Sequence, residues 1–251
     1  MAPVATPAIV LATLRYSDSS KIVRLATRDL GVQSAIAKGA LRPKSKFGAA
    51  LQVLSDGQAQ LFIKEGRELQ TLGAFDLSKL RLELARDLDR FAAANALAEV
   101  MLRCAPPAPH PAAFDVLRNG LDALVMAPQM AVDVLALRLL WQLVEVLGFA
   151  PSLEVCAKCG APLDLGKGIA FSPRDGGALC PHCAAGRPVT RLEQEDAEGL
   201  RRLVSGTGEL PLLDAKHAAA HRRLVARWVR EHIGEGAPLP ALDFWQSPHR
   251  A

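Results

Sequence analysis

Cys156, Cys159, Cys180 and Cys183 stand as C-x2-C, a spacer of twenty residues, and C-x2-C again. A C-x-x-C pair puts two sulfurs on one tight knuckle, and two such pairs complete the tetrahedral four-sulfur shell that Zn²⁺ prefers. Gly160 after the first pair and Pro181 inside the second are turn-formers that help a chain wrap around a metal. The competing reading is two unrelated pairs of buried or disulfide-bonded cysteines. Four thiolates leave no position open to water, so the pattern predicts one structural zinc per chain and no catalytic metal.

The chain has 251 residues, half of them apolar, enough for one large domain or two to three small ones. Met1 to Pro7 carry neither a basic region nor a continuous apolar run, so no secretory signal is expected. Reduced thiols in a metal site point the same way, to a cytoplasmic protein. The fifth cysteine, Cys104, ends an apolar helical run and reads as a small core residue. Met130–Phe149 is rich in Leu and Val, but Asp133, Arg138, Gln142 and Glu145 interrupt it, which predicts a buried helix and no membrane span.

Net charge is +4 and unevenly spread. Residues 1–80 hold 11 Lys/Arg against 6 Asp/Glu, residues 81–155 hold 6 against 9, and residues 156–251 hold 13 against 11. A basic first third beside an acidic middle suggests an anionic partner for the N-terminal part, a solvated basic surface being the alternative.

Short apolar or alternating runs fill that first third: Ala8–Arg15, Lys21–Thr27, Val32–Lys38, Leu51–Leu54, Gln58–Lys64 and Glu68–Gly73, divided by turn signals such as Asp56-Gly57. Five or six short strands without a long helix argue for a small barrel, because closure removes exposed sheet edges. Lys38, Arg42, Lys44 and Lys46 fall in one nine-residue segment expected as an exposed basic loop, with Arg15, Lys21 and Arg24 on neighbouring strands. From about Leu77 the period becomes helical. Leu88, Phe91, Asn95, Ala98 and Leu102 mark one stripe of a first helix, which stops before Pro106-Pro107-Ala108-Pro109; Ala112–Met126 and Met130–Leu147 follow. The metal spacer Leu163–Leu179 is long enough for a hairpin, and Leu192–Val204 and Lys216–Ile233 read as helices. On the last, Arg223, Arg227 and Arg230 share a face opposite Val225 and Val229.

The catalytic inventory is thin. Gly166-Lys167-Gly168 is a turn rather than part of a phosphate loop, and Gly206-Thr207-Gly208 lacks the strand and third glycine of a dinucleotide fingerprint, so no nucleotide cofactor is expected. The six histidines, His110, His182, His217, His221, His232 and His249, have no H-E-x-x-H spacing, and there is no G-x-S-x-G elbow. The chain reads as a protein that works by binding, not as an enzyme.

Arg15-Tyr16-Ser17-Asp18, then Lys21-Ile22-Val23, Gly31 and Ala37-Lys38-Gly39-Ala40, resemble the N-terminal signature of the bacterial RecO family. Leu139 to Pro151, ending Leu147-Gly148-Phe149-Ala150-Pro151 and running into Cys156-x-x-Cys159-Gly160, is similar to that family's central helix entering its zinc knuckle. The resemblance implies an α+β multidomain chain: an N-terminal OB-fold β-barrel (1–76), an all-α helical domain (77–155 and 191–251) and an inserted four-cysteine zinc module (156–190). It also implies a recombination mediator that binds single- and double-stranded DNA, anneals complementary strands, and with RecR loads RecA onto strands coated by single-stranded-DNA-binding protein (SSB), in the cytoplasm at the nucleoid. For the acidic, apolar-ended C-terminal tail of SSB it suggests Arg138 with Leu139 and Gln142, and Arg223 and Arg227 as the competing site. Ser19-Ser20 depart from the acidic and polar pair usual there. The barrel is also poor in aromatics, with Tyr16, Phe47, Phe62 and Phe75, so phosphate contact is expected to dominate over base stacking. An alternative is a zinc-ribbon adaptor whose barrel binds protein or RNA.

Overall fold

A computed structural model of the chain describes residues 2–106, 108–232, 236 and 238–247. The chain divides into two compact units, Met1–Met126 and Ala127–Ala251. No helix among the described residues is long and apolar enough to cross a membrane.

In the first unit, strands β1 (Val4–Arg15), β2 (Lys21–Thr27), β3 (Gly31–Ala37), β4 (Asp56–Phe62) and β5 (Leu69–Lys79) form a closed barrel in the order β1-β2-β3-β5-β4. β1 pairs antiparallel with both β2 and β4, and the parallel pairing of β3 with β5 completes the ring. The strands read in sequence because inward apolar residues alternate along them: Ala8 and Val10, Val23 and Leu25, Ala35 and Ala37, and Ala59 and Leu61 point into the core, where Leu72 of β5 joins them. The expected strand Leu51–Leu54 is absent. That segment is a run of turns in which Leu51 enters the barrel core and Leu54 sits at φ 70°, outside any strand conformation.

Helices α1 (Leu88–Cys104) and α2 (Pro111–Met126) belong to the same unit. Asp87 caps α1 by accepting from the Arg90 N–H at 2.9 Å. The buried residues of α1 are Ala92, Ala93, Ala94, Ala96, Leu97, Val100 and Met101 together with Ala98 of the expected stripe, whereas Leu88 and Phe91 of that stripe are exposed. A run of alanines beside larger side chains hid the true face from a reading by bulk. An ion cluster with a buried centre, Asp56 and Arg81, ties the barrel to α2. Asp56 of β4 accepts from Arg81 at 3.2 Å and from Arg118 of α2 at 2.8 Å, and Arg81 also donates to Asp122 of α2 at 2.7 Å.

The second unit is built on α3 (Val132–Val146), packed with α5 (Gln194–Val204) and α6 (Ala215–His232). Between α3 and α5 lie β6 (Ile169–Ser172), β7 (Gly177–Leu179), a single-turn α4 (Pro181–Ala184) and β8 (Thr190–Leu192), the strands making a sheet ordered β7-β6-β8. The spacer hairpin is therefore present, with β8 and α4 unforeseen, as is α7 (Pro240–Gln246) after α6. Leu192, expected in a helix, belongs to β8; the predicted end of the following helix, Ile233, lies outside the described residues, as do Pro107 and His249. Phe171 of β6 packs on Trp228 of α6, centroids 5.4 Å apart, and Trp228 on Trp141 of α3 at 5.8 Å. The hairpin also approaches Ser152 so closely that a Cβ on Gly177 would collide with the Ser152 carbonyl oxygen, which explains a glycine there.

Candidate metal centre and nucleic-acid interface

The four cysteines predicted as ligands converge. All their sulfurs lie within 4.8 Å of one another, and Cys159 Sγ stands 3.8 Å from Cys180 Sγ. A tetrahedron with metal–sulfur bonds of about 2.3 Å has an edge of about 3.8 Å, so the cluster has the dimensions of a metal shell. Each knuckle is built by its own backbone. Gly160, at φ 74°, donates to the Cys156 carbonyl at 2.9 Å, and Cys156 N–H donates to Ala161 O at 2.7 Å. In the second knuckle Cys180 caps α4, accepting from the Cys183 N–H at 3.4 Å, with Pro181 at the first helical position. All five cysteines are free thiols, so neither pair is a disulfide.

The charge state of the cluster also suits a cation. Burial works to raise the Cys156 thiol, but the backbone N–H groups of Cys180, Cys159 and Lys158 outweigh it and lower the value to about 6. Cys183 is pushed up to about 12, by burial and then by hydrogen bonding with Cys159, Cys180 and Cys156. Four thiols this close cannot all ionise unless positive charge is supplied among them. Cys104 differs: burial raises its thiol to about 12, beside the like-signed influence of Glu99, which leaves it unreactive at neutral pH.

On the barrel, the loop after β3 carries Lys38, Arg42, Lys44 and Lys46, all exposed. It is held at two places. Leu41 N–H donates to Ser19 O at 2.9 Å, which ties the loop to the β1–β2 turn, and Phe47 is buried in the barrel core. Lys46 Nζ stands 5.3 Å over the Phe47 ring. Arg15 is exposed, 3.4 Å from Asp18, while Lys21 and Arg24 are half-buried on β2, the Arg24 Nε without a hydrogen-bond partner among the described residues. Of the four aromatics of the barrel, Phe47 and Phe75 are buried, Phe62 is half-buried, and Tyr16 is 58% exposed.

The candidates on α3 are differently placed. Arg138 is buried and donates to the carbonyls of Gly208 at 2.7 Å and Glu209 at 2.6 Å; Gln142 donates to Gly206 O at 3.0 Å. Gly206 is at φ 67°, and a Cβ there would meet the Gln142 amide at 2.8 Å, so the two are fitted to each other. Leu139 is buried beside them in sequence. The Arg138 guanidinium thus holds the loop between α5 and α6. On α6, Arg223 and Arg227 are exposed with no ion-pair partner among the described residues, and Arg230 pairs with Asp243 of α7.

The sequence also matches known proteins. Residues 1–81 fit the family model described as recombination protein O N terminal, and residues 85–242 fit recombination protein O C terminal. The chain belongs to the RecO family. It is 31% identical to the DNA repair protein RecO of Rubrobacter xylanophilus over 92% of this chain and 90% of that protein. With the RecO protein of Symbiobacterium thermophilum it shares 34% identity over 79% and 78% of the two chains, and with that of a Nocardioides species 37% over 70% and 72%. A RecO family member acts in DNA repair and recombination, and the closed barrel followed by a helical part with a cysteine cluster is the architecture that membership led one to expect.

Sequence reasoning missed two things here. The Asp56–Arg81–Arg118–Asp122 cluster includes a bonded pair 62 residues apart, Asp56 and Arg118, and no local pattern announces it. The other is an apolar row on the outside of the barrel, Leu14, Ile22 and Ile36, which only strand pairing brings together.

Proposed function

We propose that this chain is a non-enzymatic recombination mediator of the cytoplasm. Its barrel grips the phosphates of single- and double-stranded DNA through Lys38, Arg42, Lys44 and Lys46, with Arg15, Lys21 and Arg24 beside them. Holding strands by phosphates without reading sequence is what annealing of any complementary pair requires. The observation that carries this reading is the loop itself: four exposed cations on a segment pinned to the β1–β2 turn and plugged into the core by Phe47. A pinned loop presents its charges with little further loss of entropy on binding. The four thiolates hold one Zn²⁺, the ion for which an all-sulfur tetrahedral shell is suited, and its role is structural. RecR, and the tail of SSB in the route to RecA loading, are the protein partners. Arg223 and Arg227 are the better candidates for an acidic tail, since the Arg138 guanidinium is already committed to two carbonyls.

The test is the salt dependence of binding to a fluorescent single-stranded oligonucleotide. Each phosphate contact contributes about 0.7 to the slope of log affinity against log salt on a single strand, so Arg42→Ala/Lys44→Ala/Lys46→Ala should flatten it by about two units. An unchanged slope removes the barrel loop as the phosphate grip.

A further inference from the structure

The cysteine knuckles meet over very little hydrophobic core. The buried residues around them are Cys156, Ala170, Leu179 and Ala184, with Ala157, Ala161, Leu163 and Val189 partly buried against them. Leu179 is the only large side chain in that buried set, so apolar burial contributes little to closing the two knuckles. The hairpin between them is held independently. Phe171 packs on Trp228 of α6 with centroids 5.4 Å apart, and the Ala178 N–H donates to Ser152 O at 2.7 Å. What fastens one knuckle to the other is the sulfur cluster.

That cluster is not sealed from solvent. Cys156 is buried and Cys180 and Cys183 are half-buried, but Cys159 is exposed at the tip of the first knuckle, between the exposed Lys158 and Gly160. The cysteine that solvent reaches is also the one whose sulfur stands 3.8 Å from Cys180 of the opposite knuckle. Sulfurs in a disulfide are about 2.0 Å apart, so joining this pair takes a movement of about 1.8 Å.

We infer that the four cysteines form an oxidant-sensitive clasp, in which Cys159 is attacked and Cys180 resolves it. This rests on the reading of the cluster as a zinc site. The oxidant is hydrogen peroxide. When Cys159 Sγ attacks one peroxide oxygen, an S–O bond forms, the O–O bond breaks and hydroxide leaves; the sulfur gives up two electrons and the peroxide takes them. Cys180 Sγ then attacks the Cys159 sulfur, the S–S bond forms, and a second hydroxide leaves. Both hydroxides take protons from solvent. Cys156 and Cys183 alone are too few to hold a tetrahedral ion, so the zinc is released and the knuckles loosen. A dithiol reduces the disulfide, becoming oxidised itself, and returns both thiols for metal to bind again.

The full chain carrying Cys104→Ser, so that only the cluster can react, would be assayed for metal and then treated with millimolar peroxide alongside glutathione. Zinc freed to a chromogenic chelator, disulfides mapped by mass spectrometry, and amide hydrogen exchange are the readouts. About one zinc per chain should be freed, with Cys159–Cys180 as the first disulfide. Exchange should rise at 157–160 and 181–189 and stay slow at Phe171 and Ser172, and dithiothreitol with added zinc should restore the starting pattern. Zinc still bound after the glutathione is fully oxidised overturns the clasp, as does zinc loss that dithiothreitol and zinc do not reverse. A first disulfide within one knuckle overturns the roles of Cys159 and Cys180. Zinc present at the start and indifferent to peroxide refutes the clasp alone, whereas a purified chain without metal refutes the zinc reading and the clasp with it.

Discussion

The barrel's basic loop and the second unit use charge in opposite directions. On the barrel, Lys38, Arg42, Lys44 and Lys46 are exposed and form no ion pairs among the described residues. In the second unit, Arg138 is spent on two backbone carbonyls, Arg222 on Asp133, Arg201 and Arg202 on Glu198, and Arg230 on Asp243. Four thiols are turned in on one another. One region leaves these cations exposed, while the other, Arg223 and Arg227 aside, uses its polar groups to hold itself together. A count of basic residues cannot separate these cases, because availability is decided by what packs alongside.

The sharpest way to test that contrast is to remove an inward-facing group. Cys159→Ser should cost the most, because formation of a metal site is coupled to folding and structural zinc carries on the order of 10 kcal/mol of binding free energy in small domains. The loss should be on the order of 5 kcal/mol or more, read as a fall in melting temperature together with less than one zinc per chain by elemental analysis. Stoichiometric zinc and an unchanged melting temperature in this variant would show that the cluster does not hold the unit together.

Arg138→Ala comes next. The substitution removes two charge-assisted hydrogen bonds of 2.7 and 2.6 Å and leaves the carbonyls of Gly208 and Glu209 without their donors. Each such bond is worth about 1.5–3 kcal/mol, so a loss of about 3 kcal/mol is expected by denaturant melting. Arg42→Ala on the barrel loop should stay within about 0.5 kcal/mol of the wild type in the same measurement. If the two substitutions cost the same, the contrast fails. A stable Arg138→Ala chain that had lost affinity for an SSB-tail peptide would return Arg138 to the partner surface.

These cases also mark what the chain's sequence could convey. Strand β2 is legible to the residue, since Lys21–Thr27 is a short, mostly apolar run between two turn signals, and the ligand set is legible because C-x-x-C knuckles are made by local backbone geometry. Helix α1 is legible in extent but not in face, because its buried side is largely alanine and its bulky Leu88 and Phe91 are exposed. The role of Arg138 is illegible, as its acceptors lie 70 and 71 residues away in a loop that only tertiary packing brings near. The outer row of the barrel is illegible for a related reason: Leu14, Ile22 and Ile36 become one surface only through strand register.

The smallest effect concerns Glu198 on α5, which receives Arg201 at 2.8 Å and Arg202 at 3.1 Å one turn further along the same helix. Those hydrogen bonds, and then the charges behind them, hold its carboxyl at about 2 against an ordinary 4.5. A carboxylate whose value is lower in the folded chain stabilises the fold above its unfolded value, and that contribution disappears as pH falls through the folded one. The window here runs from about 4.5 down to about 2. The side chain is 37% exposed, so solvent screening reduces the contribution well below what the shift alone would give, to under about 1 kcal/mol. Glu198→Gln should therefore lower stability slightly at pH 7, and the difference from the wild type should shrink to nothing near pH 2, with most of the change below pH 4. A gap between the two melting curves that widens on acidification would mean that Glu198 is not the acceptor for Arg201 and Arg202. Those two cations would then be available at the surface, as the barrel's are.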